Sequence, residues 1–246
     1  MRELGPEQIH LWQYPIGDPP DTQHLARAMT LLSTAEKTRC AAFHREKHRA
    51  EYALSHAMLR LALSEYAPVK PEEWQFLTGE KGKPEIASPA LATPLFFNLS
   101  HTDGLAVCVA GRIRTLGVDV ENMSRKVSPQ ELAKRFFAHG EYEYLRTMPP
   151  GSQREAFFRI WTLKEAYIKA SGEGLTIPLD SFHFQFSVGS PAEVTLESNA
   201  ESNPRAWSFF EFQSAPDCRI SIAVRNTGIG AFQVQCYQSA PLFSPT

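Results

Sequence analysis

Three acidic residues in two short segments have the types and spacing of a metal site. Asp119 and Glu121 lie two residues apart in a predicted strand, and Glu165 lies in a later predicted helix. Side chains at positions i and i+2 of a strand point to the same face, so the two carboxylates project together. If the helix brings Glu165 to that face, three oxygen ligands meet. Such a set suits a Mg²⁺ ion that also holds substrate phosphates.

Lys164 and Lys169 flank Glu165 and would suit the same phosphates. Simpler interpretations exist: the acids could be exposed strand charges, and Glu165 and Lys169 have the i, i+4 spacing of a solvated salt bridge. Two observations favour the metal. Acids on one face repel each other unless a cation offsets them. Trp161, one turn before Glu165, indicates a helix face that is partly buried.

Two earlier segments could bind a further phosphate. Ser100 and His101 end a short strand, and both side chains can donate to phosphate oxygens. A structural histidine is an equally good interpretation of His101. Residues 44–49 open a helix with several cations, ending at Arg49, and are either a solvated face or a phosphate site.

A turn at Gly82, Lys83 and Pro84 lies within the turn-rich residues 79–84. In isolation it is best interpreted as an ordinary surface loop. It could instead place a backbone segment and a proline ring against a flat base.

The composition predicts an ordinary globular protein. The chain has 246 residues, enough for one large or two small domains, and a formal charge of −2 that gives no reason to expect nucleic acid or an anionic membrane. Four scattered cysteines lack zinc-ligand spacing, and no apolar run reaches the length of a membrane span. With no recognisable N-terminal signal, we expect a cytoplasmic protein with reduced thiols.

Periodicity predicts an α+β fold with antiparallel sheet. Alternating or short apolar segments predict strands at residues 8–14, 74–77, 105–110, 115–121, 182–186, 219–224 and 232–237. Helical spacing predicts helices at about residues 46–66, 129–137, 140–145 and 154–170. Ser33 with Glu36 and Ser128 with Glu131 both fit capping boxes.

Taken together, these segments resemble the 4′-phosphopantetheinyl transferases of the type that activates surfactin synthetase. The family strand (V/I)G(V/I)D(I/V)E matches residues 116–121, the F(F/A)…E segment matches residues 136–141, and W(T/S)xKEAxxK matches residues 161–169. The upstream GKP and (N/F)xSH elements match residues 82–84 and 98–101. Five short motifs in the family's order, over about residues 36 to 182, make the resemblance specific.

The resemblance implies an enzyme that moves the phosphopantetheine arm of coenzyme A to a serine of an apo acyl or peptidyl carrier protein, releasing 3′,5′-ADP. It implies that Mg²⁺, or Mn²⁺, is held by Asp119, Glu121 and Glu165. Lys164 and Lys169 would neutralise the pyrophosphate. The 3′-phosphate would meet Arg49, Ser100 and His101, and the adenine would meet Lys83 and Pro84. Glu165, or a water it orients, is the implied base, so that Glu165, Lys169 and Asp119 form the implied catalytic group.

The same resemblance implies two similar α/β halves related by a pseudo-twofold, with the active site between them. Residues 1–113 would supply the adenine and 3′-phosphate contacts, and residues 114–246 the metal ligands and the motif helix. It also implies a monomer, and the net charge adds the expectation that neither nucleic acid nor a membrane is a partner. Glu36 stands where family members often carry a lysine, so Arg49 is the stronger candidate than Lys37 or Arg39. Glu141 matches an acidic family position whose role stays open.

Two alternatives remain at the level of sequence. One is a module of the same fold that binds coenzyme A or a carrier protein without transfer. The other is a different magnesium-dependent phosphoryl or nucleotidyl enzyme. The carrier protein could belong to fatty-acid, polyketide or nonribosomal-peptide synthesis.

Overall fold

The computed structural model describes residues 1–79, 82–186, 194–198, 201, 203–214, 217–226, 228 and 230–243. These residues form six α-helices: α1 (Thr22–Leu31), α2 (Thr34–Ala41), α3 (Glu46–Ser64), α4 (Pro129–Phe136), α5 (His139–Thr147) and α6 (Pro150–Ser171). They also form eleven strands: β1 (Gln8–Pro15), β2 (Gln75–Thr78), β3 (Pro84–Ser88), β4 (Phe96–Thr102), β5 (Leu105–Gly111), β6 (Leu116–Asn122), β7 (Phe182–Phe186), β8 (Val194–Ser198), β9 (Trp207–Ser214), β10 (Cys218–Arg225) and β11 (Gln233–Gln238). The predicted α+β class is confirmed.

The strands assemble into two larger sheets and two hairpins. The four-stranded sheet has the order β11-β1-β5-β4 and the three-stranded sheet the order β6-β10-β9, while β2-β3 and β7-β8 form the hairpins. Paired strands are antiparallel, as predicted, except that β11 runs parallel to β1. The sequence places β11 in the second half, yet this strand extends the sheet built by residues of the first half.

Most helix starts follow local sequence signals. The predicted capping box of α2 is confirmed, because Ser33 Oγ accepts from the Glu36 backbone N–H and Glu36 Oε2 accepts from the Ser33 N–H at 2.8 Å. The second predicted capping box is wrong, because the Ser128 side chain makes no capping bond to α4. Pro129 still begins that helix, since the N–H that proline lacks would have no helical partner in the first turn.

Helix α6 is longer than predicted. The sequence predicts a start at about residue 154, but Pro149 is the N-cap and Pro150 the first helical residue. A proline is tolerated there because its fixed φ suits the helix. The helix ends close to the predicted residue 170, at Ser171, and is followed by Gly172, which has φ 72° and whose N–H donates to Ile168 O. The sequence prediction missed α1, β3, β8 and β9.

A glycine allows α6 to lie directly on the second sheet. A Cβ on Gly117 of β6 would lie 2.3 Å from Ala166 O and 2.4 Å from Ala170 N. Only a residue without a side chain permits so close an approach. The contact places one face of α6, with Glu165 and Lys169 on its edge, against the strand that carries Asp119.

The cysteines and helices agree with two sequence expectations. All four cysteines are free thiols, of which Cys40, Cys108 and Cys218 are buried. Among the described residues, no helix is both long and apolar enough to cross a membrane.

Candidate active site

Asp119 lies at the centre of a polar cluster formed by β4, β6 and α6. Its carboxylate is buried, with the residue 5% exposed. Oδ1 accepts hydrogen bonds from Ser100 Oγ at 3.0 Å and from Lys169 Nζ at 2.6 Å. Lys169 Nζ also donates to Ser100 Oγ at 2.8 Å. Asp119, Ser100 and Lys169 therefore lie within hydrogen-bonding distance of one another.

Strands β4 and β6 belong to different sheets but are joined by side chains at alternate positions of β4. Asn98 Oδ1 accepts from Val118 N at 2.9 Å, and Thr102 Oγ1 accepts from Asn122 N at 3.1 Å. Ser100 lies between these two residues and bonds to Asp119. Because alternate residues of a strand share a face, the polar side of β4 aligns Ser100 with the acidic strand.

Glu121 lies on the same side of β6 as Asp119 and is paired with a basic residue. Arg125 Nη1 donates to both of its carboxylate oxygens, at 2.9 and 3.0 Å. Burial, and then the nearby Asp119 carboxylate, raise the pKa of Glu121, while Arg125 acts in the opposite direction. The two carboxylates therefore influence each other, as their spacing predicts.

Glu165 contributes a third carboxylate to this region from α6. Burial, and then the Asp119 charge, raise the pKa of Glu165, with Glu121 adding a smaller effect and Lys169 opposing it. Lys169 pairs with Asp119 of the neighbouring strand rather than with Glu165 one turn earlier. The solvated Glu165–Lys169 salt bridge, the simpler interpretation of this spacing, is not what the structure shows.

The donor set fits a divalent cation in its chemistry, although its ligands are not gathered into a closed site. Asp119 Oδ2 is buried and has no hydrogen-bond partner among the described residues, so a cation there would satisfy it. Both Glu121 oxygens are instead held by Arg125. Within the described part of the chain, no group of three or more acidic, histidine or cysteine side chains is close enough to hold a metal ion.

Lys164 occupies a different environment from the one its place in the motif predicts. Its side chain is fully buried, and Nζ lies 2.8 Å from Glu141 Oε2. Nζ also donates to Leu179 O at 2.7 Å and to Phe182 O at 2.6 Å. With three oxygen partners and no exposed surface, the ammonium is not available to a pyrophosphate in this arrangement.

Glu141 thereby acquires a structural role that the sequence leaves open. Its Oε1 accepts from Phe184 N at 3.0 Å and its Oε2 from Ala138 N at 3.1 Å, besides the contact with Lys164. The carboxylate caps α5 and joins it to α6 and β7. Burial raises the pKa of Glu141 and lowers that of Lys164, whereas their mutual attraction opposes both shifts.

His101 and Arg49 line different cavities. His101 is exposed and, with Glu121 and Arg125, lines a cavity of about 350 Å³. Partial desolvation, and then the Lys169 cation, lower the pKa of His101. Arg49 lines an adjoining cavity of about 700 Å³, and its Nε donates to Phe43 O at 2.7 Å. The two cavities share lining residues, so the His101 and Arg49 side chains lie in neighbouring spaces.

Lys83 bridges the beginning of β6 and the end of α6. Its Nζ donates to the backbone oxygens of Leu116 at 2.9 Å, Arg114 at 3.2 Å and Ala170 at 3.3 Å. Burial lowers the pKa of Lys83 to about 8. Pro84 is exposed as the first residue of β3. Residues 80 and 81 of the predicted turn lie outside the described residues.

Sequence reasoning missed Arg125 and the role of Asn98. Arg125 follows Glu121 by four residues in a loop, where that spacing carries no geometric signal. Asn98 belongs to the Ser100–His101 segment, but only the strand arrangement shows that it bonds β6.

Two family models match the chain in succession. Residues 18–113 match the model described as 4′-phosphopantetheinyl transferase, N-terminal, and residues 115–224 match the 4′-phosphopantetheinyl transferase superfamily. The chain is 34% identical over 222 residues to 4′-phosphopantetheinyl transferase HetI of Nostoc sp., covering 90% of each chain. It is 32% identical over 170 residues to 4′-phosphopantetheinyl transferase Sfp of Bacillus subtilis, covering 69% of this chain and 73% of that one.

A eukaryotic relative is also similar: 4′-phosphopantetheinyl transferase pptA of Paxillus involutus is 29% identical over 220 residues, covering 82% of this chain and 80% of its own. The chain belongs to the 4′-phosphopantetheinyl transferase superfamily. Its activity is therefore the transfer of a 4′-phosphopantetheinyl group to carrier proteins, and the resemblance noted in the sequence is confirmed.

Proposed function

We propose that this enzyme takes the 4′-phosphopantetheine group from coenzyme A, attaches it to a serine hydroxyl of an apo acyl or peptidyl carrier protein, and releases 3′,5′-ADP. The observation that carries this proposal is the buried Asp119 carboxylate. One of its oxygens is held by Ser100 and Lys169, and the other has no partner in the part of the chain that the structure describes. Family membership supplies the donor class, and this cluster supplies a place for its charged pyrophosphate.

The proposed architecture is two similar halves, residues 1–113 and 114–246, related by a pseudo-twofold with the site between them. In the first half, β1 pairs with β5 and β5 pairs with β4. In the second half, β6 pairs with β10 and β10 pairs with β9. The two halves therefore use the same order of pairing. The side-chain bonds between β4 and β6 support a site where the halves meet. β11 crosses back to the first sheet and is an addition to this scheme.

Asp119, Glu121 and Glu165 are the proposed holders of Mg²⁺ or Mn²⁺. The orphaned Asp119 Oδ2 fits such a cation, and so do the pKa values of the two glutamates, which are raised first by burial and then by the Asp119 charge. The Arg125 guanidinium, which contacts both Glu121 oxygens, would compete with the metal for that carboxylate. When bound, the metal supplies charge neutralisation at the diphosphate oxygens.

The remaining coenzyme A contacts follow the cavities. Lys169 would neutralise the pyrophosphate from its place beside Asp119, and Ser100 and His101 would meet the 3′-phosphate. Arg49 would meet the 3′-phosphate from the adjoining cavity. Lys83 and Pro84 would contact the adenine. Lys164 is left out of this set, because its ammonium is buried against Glu141.

Glu165 is the proposed base for the carrier serine, directly or through a water. Burial, and then Asp119, raise the pKa of Glu165 in the metal-free site, whereas a bound cation would lower it, which favours the route through a water. The serine oxygen would attack the phosphorus of the phosphopantetheine arm, the bond from that phosphorus to the bridging oxygen of the diphosphate would break to release 3′,5′-ADP, and the serine proton would pass to Glu165 or its water. Positioning and charge stabilisation do most of the rest in such a transfer.

Intact-mass spectrometry of an apo carrier protein tests the proposal. The carrier is incubated with the enzyme, coenzyme A and Mg²⁺, with a chelator as the control. We expect a mass gain of one phosphopantetheine that disappears with the chelator and with Asp119→Asn. A gain that persists in chelator would refute the metal, and no gain on acyl or peptidyl carriers would refute the proposed acceptors. We further propose that the protein is cytoplasmic and monomeric. Size-exclusion chromatography with light scattering would test the oligomeric state.

A further inference from the structure

Arg125 is an exposed cation that holds Glu121, one of the three acidic residues of the cluster. Its Nη1 contacts both Glu121 oxygens, and its side chain is 52% exposed against 14% for that of Glu121. The pair borders the cavity of about 350 Å³ that also contains His101. Ligands entering from this cavity would therefore meet the ion pair first.

The loop after β6 presents Arg125 in this position. Its backbone N–H donates to Asn122 O at 3.2 Å, and its carbonyl accepts from the Arg154 guanidinium of α6. The same guanidinium donates to Met123 O. Ser124 N donates to Asn122 Oδ1 at 2.8 Å. The backbone is thus anchored at several points, whereas the exposed guanidinium is free to change its partner.

The cluster has unequal numbers of acids and protein cations. Asp119 is paired with Lys169 and Glu121 with Arg125, while Glu165 has no ion-pair partner among the described residues. Three carboxylates and two cations leave one uncompensated negative charge. A divalent cation that binds Asp119 Oδ2 and Glu165 would meet the Arg125 guanidinium at Glu121, because Nη1 contacts both oxygens of that glutamate and its positive charge repels the ion.

We propose that Arg125 is a positioning residue that acts as an internal substitute for the metal: it holds Glu121 in the unliganded enzyme and competes with the divalent cation for that carboxylate. This inference rests on the proposed metal site. The competition keeps Glu121 ordered beside Asp119 but weakens metal binding before coenzyme A arrives. The displaced guanidinium would then lie in the cavity beside His101, where it can face an incoming anion.

The competition is tested by the affinity of the enzyme for Mn²⁺ in the absence of coenzyme A. Electron paramagnetic resonance measures the concentration of free Mn²⁺ in such a titration. A partly exposed ion pair contributes up to about 1 kcal/mol, so Arg125→Ala should tighten Mn²⁺ binding about two- to fivefold. Lys126→Ala is the matched control, because it removes the same charge from the next, exposed residue. The gain in Arg125→Ala should shrink as salt screens the pair in the wild-type enzyme.

The outcomes separate this inference from the metal proposal. Tighter binding in Arg125→Ala, with a smaller change in Lys126→Ala, supports the competition. An equal change in both variants, no change, or weaker binding in Arg125→Ala overturns it while leaving the metal site in place. If Mn²⁺ binding to the wild-type enzyme is absent or unaffected by Asp119→Asn, the metal proposal fails, and the inference with it.

Discussion

Replacing Lys164 with methionine distinguishes a buried structural cation from a phosphate ligand. The motif resemblance implies that Lys164 neutralises the pyrophosphate, whereas the structure surrounds its ammonium with Glu141 Oε2 and the backbone oxygens of Leu179 and Phe182. Methionine keeps the length of the side chain but removes its charge and donors. We expect the loss to appear in stability rather than in the KM for coenzyme A.

The expected magnitude follows from the burial of the pair. The side chains of Lys164 and Glu141 are 0% and 2% exposed. Removing one partner of such a pair leaves an uncompensated buried charge, which costs about 3–5 kcal/mol. For a chain of this size, 1 kcal/mol changes Tm by about 2–4 °C, so Lys164→Met should unfold about 6–20 °C below the wild-type enzyme.

Thermal unfolding followed by circular dichroism gives the Tm, and release of 3′,5′-ADP below that temperature gives the KM for coenzyme A. Lys169→Met is the control on the same helix, because its ammonium is partly exposed and contacts Asp119 and Ser100. It should lose turnover with a much smaller change in Tm. Adding Glu141→Gln to Lys164→Met should recover part of the lost stability, since the unpaired charge is then removed as well.

The opposite result would refute the structural role. A Lys164→Met enzyme with wild-type Tm and a KM for coenzyme A raised tenfold would show that Lys164 binds substrate. The buried arrangement with Glu141 would then not be the state that turns over.

Three further predictions test the close packing, the pKa and the site. Gly117→Ala should lower the free energy of unfolding in urea by about 1–3 kcal/mol or more, because its Cβ would lie 2.3 Å from the α6 backbone. Gly140→Ala is the control: its Cβ would meet nothing within 4 Å, so this variant should be as stable as the wild-type enzyme or more stable. The pKa of Lys83 is about 8 in the folded protein, below its unfolded value of 10.5. Between these two pH values the unfolded chain binds more protons than the folded protein. The free energy of unfolding should therefore rise by roughly 1–3 kcal/mol from pH 8 to about 10.5. This rise should be absent in Lys83→Met, as measured by urea unfolding at pH 7.5 and 10. Asp119→Asn should abolish phosphopantetheinylation in the mass assay while keeping a Tm within a few degrees of wild type.

Each of these predictions has a contradicting outcome. Equal stability of Gly117→Ala and Gly140→Ala would show that α6 can move away from β6 without cost. A pH dependence of stability that persists in Lys83→Met would mean that another group titrates. Wild-type turnover in Asp119→Asn would exclude Asp119 from the reaction.

The elements that the sequence predicts well are those with strong local patterns. The capping box at Ser33, the helical spacing of α3 and the alternation of β7 each arise from interactions within a few residues. The missed or misjudged elements depend on distant partners. β9 is stabilised by its pairing with β10, so its formation is not a local property of the sequence. β11 pairs with β1 in parallel, so the sheet that it joins is not a local property either.

The composition of the site was accessible from residue types and spacing. Two acids with strand spacing must project from one face of β6, and a motif helix with Glu165 and Lys169 must present them near one another. Those periodicities follow from backbone geometry, which is the same in any protein. They were enough to nominate Asp119, Glu121 and Glu165 as one acidic group with Lys169 nearby, whereas the contact of Ser100 with Asp119 came only from the structure.

The partner of each charge depended on three-dimensional packing. Neighbouring lysines of one motif have different environments, because a helix turns by about 100° per residue: Lys169 reaches Asp119, whereas Lys164 is buried against Glu141. Arg125 reaches Glu121 because a loop, not a periodic element, directs it there. Spacing specifies which face a side chain occupies, but burial and pairing depend on the elements that cover that face, and those come from elsewhere in the chain.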